Sequence, residues 1–422
     1  MIRVETLINL IQGNVDISAY ELTHITKRSS ELFFVKKGME LNRATNTEDI
    51  SIVVYADVED KRGISNVTIT SADDETIVQE KLKQAVKKAK TALNPYFPLA
   101  EKQPVVDNRV NLNEDLNTTA LKVADAISKA DSFKDGQLNA TEIFVSFVTR
   151  EFYNSNDVKQ REEKFSIEFE TIPTWSDGKE EYELYKYYRN NHFDAENITE
   201  EVNAILTLSK YRSEAKKLSE ITISKDVPVL MYGEMASLIV KNLEDNGTYR
   251  ADVTHSSHYS IGSVVSNAPF DLTVFGGIDG CSASKGFDEN GVALSQKKII
   301  EEGKMVARFG DIRFGHYANV ANPAGNYSVA KVEAEGLEYK NKPYIVIDHF
   351  SAPQLETASG YFGGEVRLAR YFDGEKMIPL TSFTVTGNIY EAVKSVRFSK
   401  EQTTTTNYQG PKYFIFDHLN IV

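Results

Sequence analysis

Asp226-Val227-Pro228-Val229-Leu230-Met231-Tyr232 runs directly into Gly233-Glu234-Met235-Ala236-Ser237-Leu238-Ile239-Val240-Lys241-Asn242-Leu243-Glu244-Asp245-Asn246. The first segment is a short apolar run, the pattern of a buried strand. In the second, Met235, Leu238, Ile239, Asn242 and Leu243 recur at helical spacing, and Asp245-Asn246-Gly247 supplies stop chemistry. A strand feeding a helix is a common mount for catalytic groups, such as a zinc-binding His-Glu pair with a second His further along the same face. None of the seven histidines of this chain is followed by Glu. The helix is apolar on one side and carries Glu and Lys on the other, so its residues read as a core-packing helix.

On the N-terminal side of this stretch the pattern is α+β. Residues 2–12 form an amphipathic helix, and strands are predicted at Tyr20–Lys27, Ser30–Lys37, Met39–Ala44 and Ile50–Asp57. A turn at Asp60-Lys61-Arg62-Gly63 leads to a strand at Ile64–Thr70, then to a helix capped by Ser71 or Asp73 and reaching Leu93. A similar order follows: a helix at Leu116–Ala130, strands at Glu142–Thr149, Glu151–Asn154, Lys164–Thr171 and Lys179–Arg189, and a helix from Asn197 to Leu218. Glu31-Leu32-Phe33-Phe34-Val35 resembles Glu142-Ile143-Phe144-Val145-Ser146, which suggests two similar strand-meander-plus-helix units, at 1–95 and 96–220. Beyond 221 the chain becomes rich in strands and glycine. Strands are predicted at Ser263–Ser266, Leu272–Phe275, Lys304–Arg308, Tyr344–His349, Gly364–Tyr371, Leu380–Thr386 and Tyr413–Asn420, a third domain of antiparallel sheets at 221–422.

The chain has 422 residues and a net charge of −13. That balance disfavours a nucleic-acid footprint, which needs a basic face, and docking on an anionic membrane. The lysines between Lys81 and Lys90 alternate with apolar positions and read as one solvated helix face. No stretch approaches the ~20 apolar residues of a membrane span. The N-terminus is interrupted by Arg3 and Glu5, so it does not read as a secretory signal. With a single cysteine, Cys281, no disulfide within the chain is possible. The expectation is a cytoplasmic protein.

Few residues suggest chemistry by themselves. His255 and His258 are the one close pair of histidines, and with Cys281 they are the candidate metal ligands of a divergent hydrolase. Cys281 lies in a small-residue loop and needs a paired base to act as a nucleophile. Gly276-Gly277-Ile278-Asp279-Gly280 does not lead into a helix and lacks the Gly-Lys-Ser/Thr ending of a phosphate loop. Asp348-His349 and Asp417-His418 place the two residues of each pair on opposite faces of a strand.

Gly286-Phe287-Asp288-Glu289-Asn290-Gly291-Val292, followed by Lys298-Ile299-Ile300-Glu301-Glu302-Gly303-Lys304, closely resembles a motif of the TldD/PmbA family. Physically it is two tight turns around a strand, with Asp288 holding its turn through the side chain and Gly291 at positive φ. Gly360-Tyr361-Phe362-Gly363-Gly364, Asp373-Gly374-Glu375, Phe383-Thr384-Val385-Thr386-Gly387-Asn388-Ile389 and Gly410-Pro411-Lys412-Tyr413-Phe414-Ile415 are similar to the same family's C-terminal pattern. The likeness spans roughly residues 220–422.

The resemblance implies a heterodimeric metallopeptidase, once described as a modulator of DNA gyrase, that cuts unfolded peptides in a chamber lined by both subunits. TldD-like members carry His-Glu-x-x-x-His on the first C-terminal helix and a late cysteine to hold zinc; PmbA-like, or TldE-like, members lack them. Here the motif positions fall near Val240-Lys241 and Asp245, and Ser399 to Gln409 contains no cysteine. The chain is therefore identified as a PmbA-like, non-catalytic subunit with no cofactor of its own. Zinc is expected in a TldD-like partner, and a homodimer when the partner is absent. The strand Phe383, Thr384, Val385, Thr386 is the candidate peptide-holding wall, since an extended peptide can add to a sheet edge. A stand-alone protein-binding regulator is the other non-enzymatic reading.

Overall fold

The computed structural model describes residues 2–131, 133–224, 227–339, 342–417 and 419–422. Asp226 and His418, two residues used above, lie outside the described residues. Among the described residues the chain forms three sheets, of nine, eleven and six strands.

The nine-stranded sheet is built by residues 19–190. Its centre is a pair of long hairpins. Ala19–Val35 pairs antiparallel with Gly38–Val58 on one side and with Gly136–Asn154 on the other, and the latter pairs with Lys159–Ser176. The short strands predicted at Tyr20–Lys27 and Ser30–Lys37 are one strand, as are Met39–Ala44 and Ile50–Asp57. The reason is the way helices cover one face. Tyr20, Leu22, Ile50, Ile52 and Val54 pack under the helices Val4–Gln12 and Glu75–Ala89. Leu32, Ile143, Val145, Ile167 and Phe169 pack under Leu116–Ala130 and Ala195–Ser213. Between the two cores the strands cross a polar gap, which in sequence looks like a break.

The helix Glu75–Ala89 is capped by Asp74, which accepts from Ile77 N, whereas Asp73 accepts from Thr70 N and pairs with Lys81 at 2.6 Å. It stops before Leu93 because Leu93–Pro95 is recruited as a strand against Lys61–Gly63. Gly63 allows this close approach: a Cβ there would stand 1.9 Å from Ala89 O. The segment Lys179–Arg189 forms two short strands, Glu181–Glu183 and Lys186–Asn190, both added to Lys159–Ser176.

The C-terminal half sandwiches one core between the eleven- and six-stranded sheets and includes the helix Glu234–Asn246. Its sheets are mixed rather than antiparallel. Val229–Met231 pairs antiparallel with Phe414–Phe416 but parallel with Ile345–Ile347, and Val329–Ala334 pairs parallel with Tyr408–Pro411. Parallel neighbours need a long crossover, and the excursion between Met231 and Tyr344 supplies it. Ser263–Ser266 contributes a single bridge, Val264 to Lys304, instead of a strand. Leu380–Thr386 divides at Ser382, whose φ of 60° interrupts the pleat, into Met377–Thr381 and Phe383–Asn388. Tyr413–Asn420 likewise yields the separate strands Phe414–Phe416 and Asn420–Ile421.

The halves pack through the face of the nine-stranded sheet opposite its helices, and through Ile205 of the helix Ala195–Ser213, which meets Leu184 and Leu368. Leu32 lies directly opposite Ile143 at the seam of the two hairpins and is fully buried. Leu32→Ala should cost about 2–5 kcal/mol, read as a lowered urea midpoint with an unchanged slope.

Candidate functional site

The strand Val229–Met231 turns into the helix Glu234–Asn246 through Gly233, at φ 60°. Met235, Ala236, Ile239, Val240 and Leu243 face the core. Val240 is buried, while Lys241 and Asp245, one turn apart, form an ion pair on the outer side. Glu244 beside them is pushed up to about 7, chiefly by burial, with the Lys241 charge pulling it back down.

The last turn of this helix anchors the loop that carries the two histidines. Arg308 is buried and donates to Asn246 O, Tyr259 O and Asp252 Oδ1, and the Asn246 side chain accepts from His258 N at 2.6 Å. His255 is exposed, at φ 54°. The His258 ring stacks on Tyr390, with centroids 3.7 Å apart and planes 3° apart. Cys281 is fully buried elsewhere, and burial pushes its thiol up to about 11. Among the described residues no histidine is hydrogen-bonded to Cys281, and no three His, Cys, Asp or Glu side chains group as a metal site. Asp348 is held by Arg370 at 2.6 and 2.8 Å and by the Tyr232 hydroxyl at 2.9 Å, away from His349.

The Gly286–Val292 turn is where the two halves meet. Asp288 is fully buried; its Oδ1 accepts from Asn290 N and Val292 N, and its Oδ2 from Asn326 N, at 2.9–3.0 Å. Burial raises its pKa against these three donors. Gly291 has φ 79°, and a Cβ there would stand 2.3 Å from the Phe152 ring. Phe287 is buried beside Phe152, and the Arg150 guanidinium lies 4.4 Å over its ring while donating to Asp288 O. Gln160 donates to Gly291 O, and Gly286 N donates to Glu162. Asn290 reaches into the nine-stranded sheet to Glu21, which also accepts from the Tyr55 hydroxyl at 2.7 Å. Nothing in the sequence pattern marked Glu21, Arg150, Phe152 or Gln160 as partners of this turn, because they come from strands more than a hundred residues away.

The second turn, Glu302-Gly303, joins Gln296–Glu301 to Lys304–Met305, with Gly303 at φ 73°. Asn388 caps the helix Ile389–Lys394, and Gly387 sits against Phe362, where a Cβ would stand 2.7 Å from the ring. Phe383–Asn388 is paired on both sides: with Tyr361–Val366, and with Asn420–Ile421. Thr384 N donates to Val422 O at 2.6 Å.

Residues 224–422 match the PmbA/TldA metallopeptidase C-terminal domain. The C-terminal half belongs to the PmbA/TldD metallopeptidase family. No curated protein matches the chain. Its whole length is similar in fold to TldE from Thermococcus kodakarensis, at 16% identity and a TM-score of 0.79, with 99% of each chain covered. It is also similar to proteins described as candidate modulators of DNA gyrase from Thermotoga maritima MSB8 and Bacteroides thetaiotaomicron VPI-5482. The first has 12% identity, TM-score 0.75 and 99% of each chain covered. The second has 12% identity and TM-score 0.78, with 99% of this chain and 97% of the other covered. At these identities the likeness is one of fold.

Zinc, the metal that the PmbA/TldD resemblance implies, does not fit the residues at the corresponding helix positions. Val240 offers no donor, Lys241 is a cation, and the Asp245 carboxylate is already paired with Lys241. His255, His258 and Cys281 do not replace them, since the histidines and the buried thiol belong to different surroundings.

Two consequences of the joint can be measured. Asp288→Ala leaves three backbone N–H groups without their acceptor and should cost roughly 3 kcal/mol or more, seen as a lower melting temperature. Glu21 is pushed up to about 7 by burial, against the hydrogen bonds of Tyr55 and Asn290, while Asp288 raises it further and Arg62 lowers it. An acid whose native pKa lies above its unfolded value is neutral in both states at low pH. It then costs stability as the pH rises between the two values. Between about pH 4.5 and 7 Glu21 should lower the stability read by urea denaturation by an amount on the order of 3 kcal/mol, and Glu21→Gln should flatten the pH profile by that share, leaving the similar contribution of Glu244 in place.

Proposed function

We propose that this chain is the non-catalytic, TldE-like subunit of a heterodimeric metallopeptidase that degrades unfolded peptides, and that it forms part of the chamber wall. The observation that carries this reading is the helix Glu234–Asn246, whose outer face bears the Lys241–Asp245 ion pair where the resemblance puts zinc ligands. Without those ligands the chain lacks a Lewis acid and an activated water, so cleavage must be supplied by a TldD-like partner. The whole-chain likeness to the Thermococcus TldE supports the assignment.

On this reading the strand Phe383–Thr386 is a wall element. An extended peptide can take its outer edge only where Asn420–Val422 yields it, because that edge is already hydrogen-bonded. Alone, the chain would pair with a second copy of itself through the surface otherwise given to the partner.

Reconstitution tests the reading. The purified chain should contain no stoichiometric zinc by elemental analysis and should not cleave a denatured protein. Mixed with a TldD-like subunit, it should co-elute as a complex and raise cleavage at least tenfold over that subunit alone. One zinc per chain lost on His255→Ala, or a TldD-like subunit equally active without this chain, would defeat the proposal.

A further inference from the structure

Lys164 lies on the strand Lys159–Ser176, on the sheet face that the helices leave open, in register with Val148 and Lys27. The Gly286–Val292 turn docks on the same face. The ion-pair contact of Lys164 among the described residues is Glu162, at 3.7 Å, and no side chain or carbonyl there accepts a hydrogen bond from it. Glu162 is committed elsewhere: it accepts from Gly286 N at 3.0 Å and lies 3.4 Å from Arg150. Three further cations, Arg150, Lys285 and Arg189, bear on Lys164. Arg150 is engaged by Phe287 and Asp288, Lys285 by Glu289 at 2.8 Å, and Arg189 faces Glu168 at 3.4 Å with its Nε–H buried and unbonded. Glu162, Glu168 and Glu289 are thus each already facing another cation.

This is an unusual place for a lysine in a chain with 61 acidic residues against 48 basic ones. Partial burial lowers the pKa of this ammonium, helped by the neighbouring cations, and no hydrogen-bonded counter-ion offsets that cost. Yet its side chain is 35% exposed, so a ligand can reach it. The surroundings of Lys164 complement an oxyanion: an ammonium without a hydrogen-bonded counter-ion, reachable from solvent and with three further cations nearby.

We propose that Lys164 anchors the free carboxylate of an extended peptide on the open face of the nine-stranded sheet, beside the docked Gly286–Val292 turn. The inference rests on the reading of the chain as a peptide-handling subunit and deepens it by giving the chamber wall a polar end-stop. A terminal carboxylate and an Asp or Glu side chain share this chemistry, and the experiment separates them.

The experiment uses fluorescence anisotropy of the purified full chain with an N-terminally labelled, unstructured peptide of neutral side chains. It is measured as the free acid, as the C-terminal amide, and as the amide with one internal Asp. The free acid should bind roughly tenfold tighter than the amide, the worth of one charge-assisted hydrogen bond. The Asp-containing amide should match the free acid if any carboxylate suffices, and the plain amide if the terminus is read. Lys164→Met should abolish the acid-over-amide ratio while its melting temperature stays at or above that of the parent, and Lys164→Arg should retain most of the ratio. Equal binding of acid and amide, an undiminished ratio in Lys164→Met, or no binding of any peptide would overturn the proposal. A reconstituted pair that cleaves acid and amide peptides equally would remove Lys164 from the site and leave the subunit assignment standing.

Discussion

The Asp288 carboxylate, fully buried and accepting three backbone N–H groups, shapes the turn through which the two halves of this protein touch. Those hydrogen bonds bring Asn290 back toward the nine-stranded sheet and leave Gly291 flush against Phe152. Phe287 is then clasped between Phe152 and the Arg150 guanidinium, and Glu21, Gln160 and Glu162 meet the remaining polar groups of the turn. A buried carboxylate and a buried guanidinium are expensive unless every hydrogen bond is made. Asp288 is satisfied within the C-terminal half, whereas Arg150 donates to Phe287 O and Asp288 O, and Glu21 accepts from Asn290, across the joint, so the relative placement of the halves follows from satisfying these groups.

That joint explains why one face of the nine-stranded sheet is polar although much of it is shielded. The helices take the apolar face, through Leu22, Ile52, Leu32 and Ile143. The opposite face carries Glu31, Ser29, Ser146, Ser166 and Glu162, all buried, with cross-strand pairs such as Ser146 to Ser166 at 3.0 Å. It meets the C-terminal half at the Asp288 turn, and beside that turn Lys164 stands without a hydrogen-bonded counter-ion. The proposed peptide-handling role for that face and the proposed non-catalytic role for the helix Glu234–Asn246 are mutually consistent: on that reading this chain would offer surface and charge, and a TldD-like partner the metal.

Local patterns were legible in the residue order. The helix Leu116–Ala130 was read at its observed bounds, and the structure adds Asp115 as its cap. The helix after Val229–Met231 was marked by its apolar period and its Asp-Asn-Gly stop. The turn of Asp288 and Gly291 could be read because an Asx-type hydrogen bond and a positive φ are properties of a few consecutive residues. The missing zinc motif was equally legible, since a ligand set of fixed spacing on one helix is either written in the sequence or not.

What the sequence could not determine is whatever depends on residues far apart. Strand lengths were misjudged because the polar middle of Ala19–Val35 looks like a turn until two separate helix pairs are seen covering its ends. Strand direction in the C-terminal half was misjudged because the parallel pairing of Val229–Met231 with Ile345–Ile347 is decided by a crossover of more than a hundred residues. The free-looking edge at Phe383–Thr386 is taken by Asn420–Ile421, a pairing no local pattern encodes. By itself the sequence determined the helix Leu116–Ala130, the body of the helix after Val229–Met231, the Asp288 turn and the lack of a His-Glu-x-x-x-His spacing, which are short-range matters of period, φ and residue order. Only the tertiary structure decided which face of each strand is covered, which edges are paired and which charges are left without a partner, because burial and hydrogen bonding across strands are set by the whole packed chain.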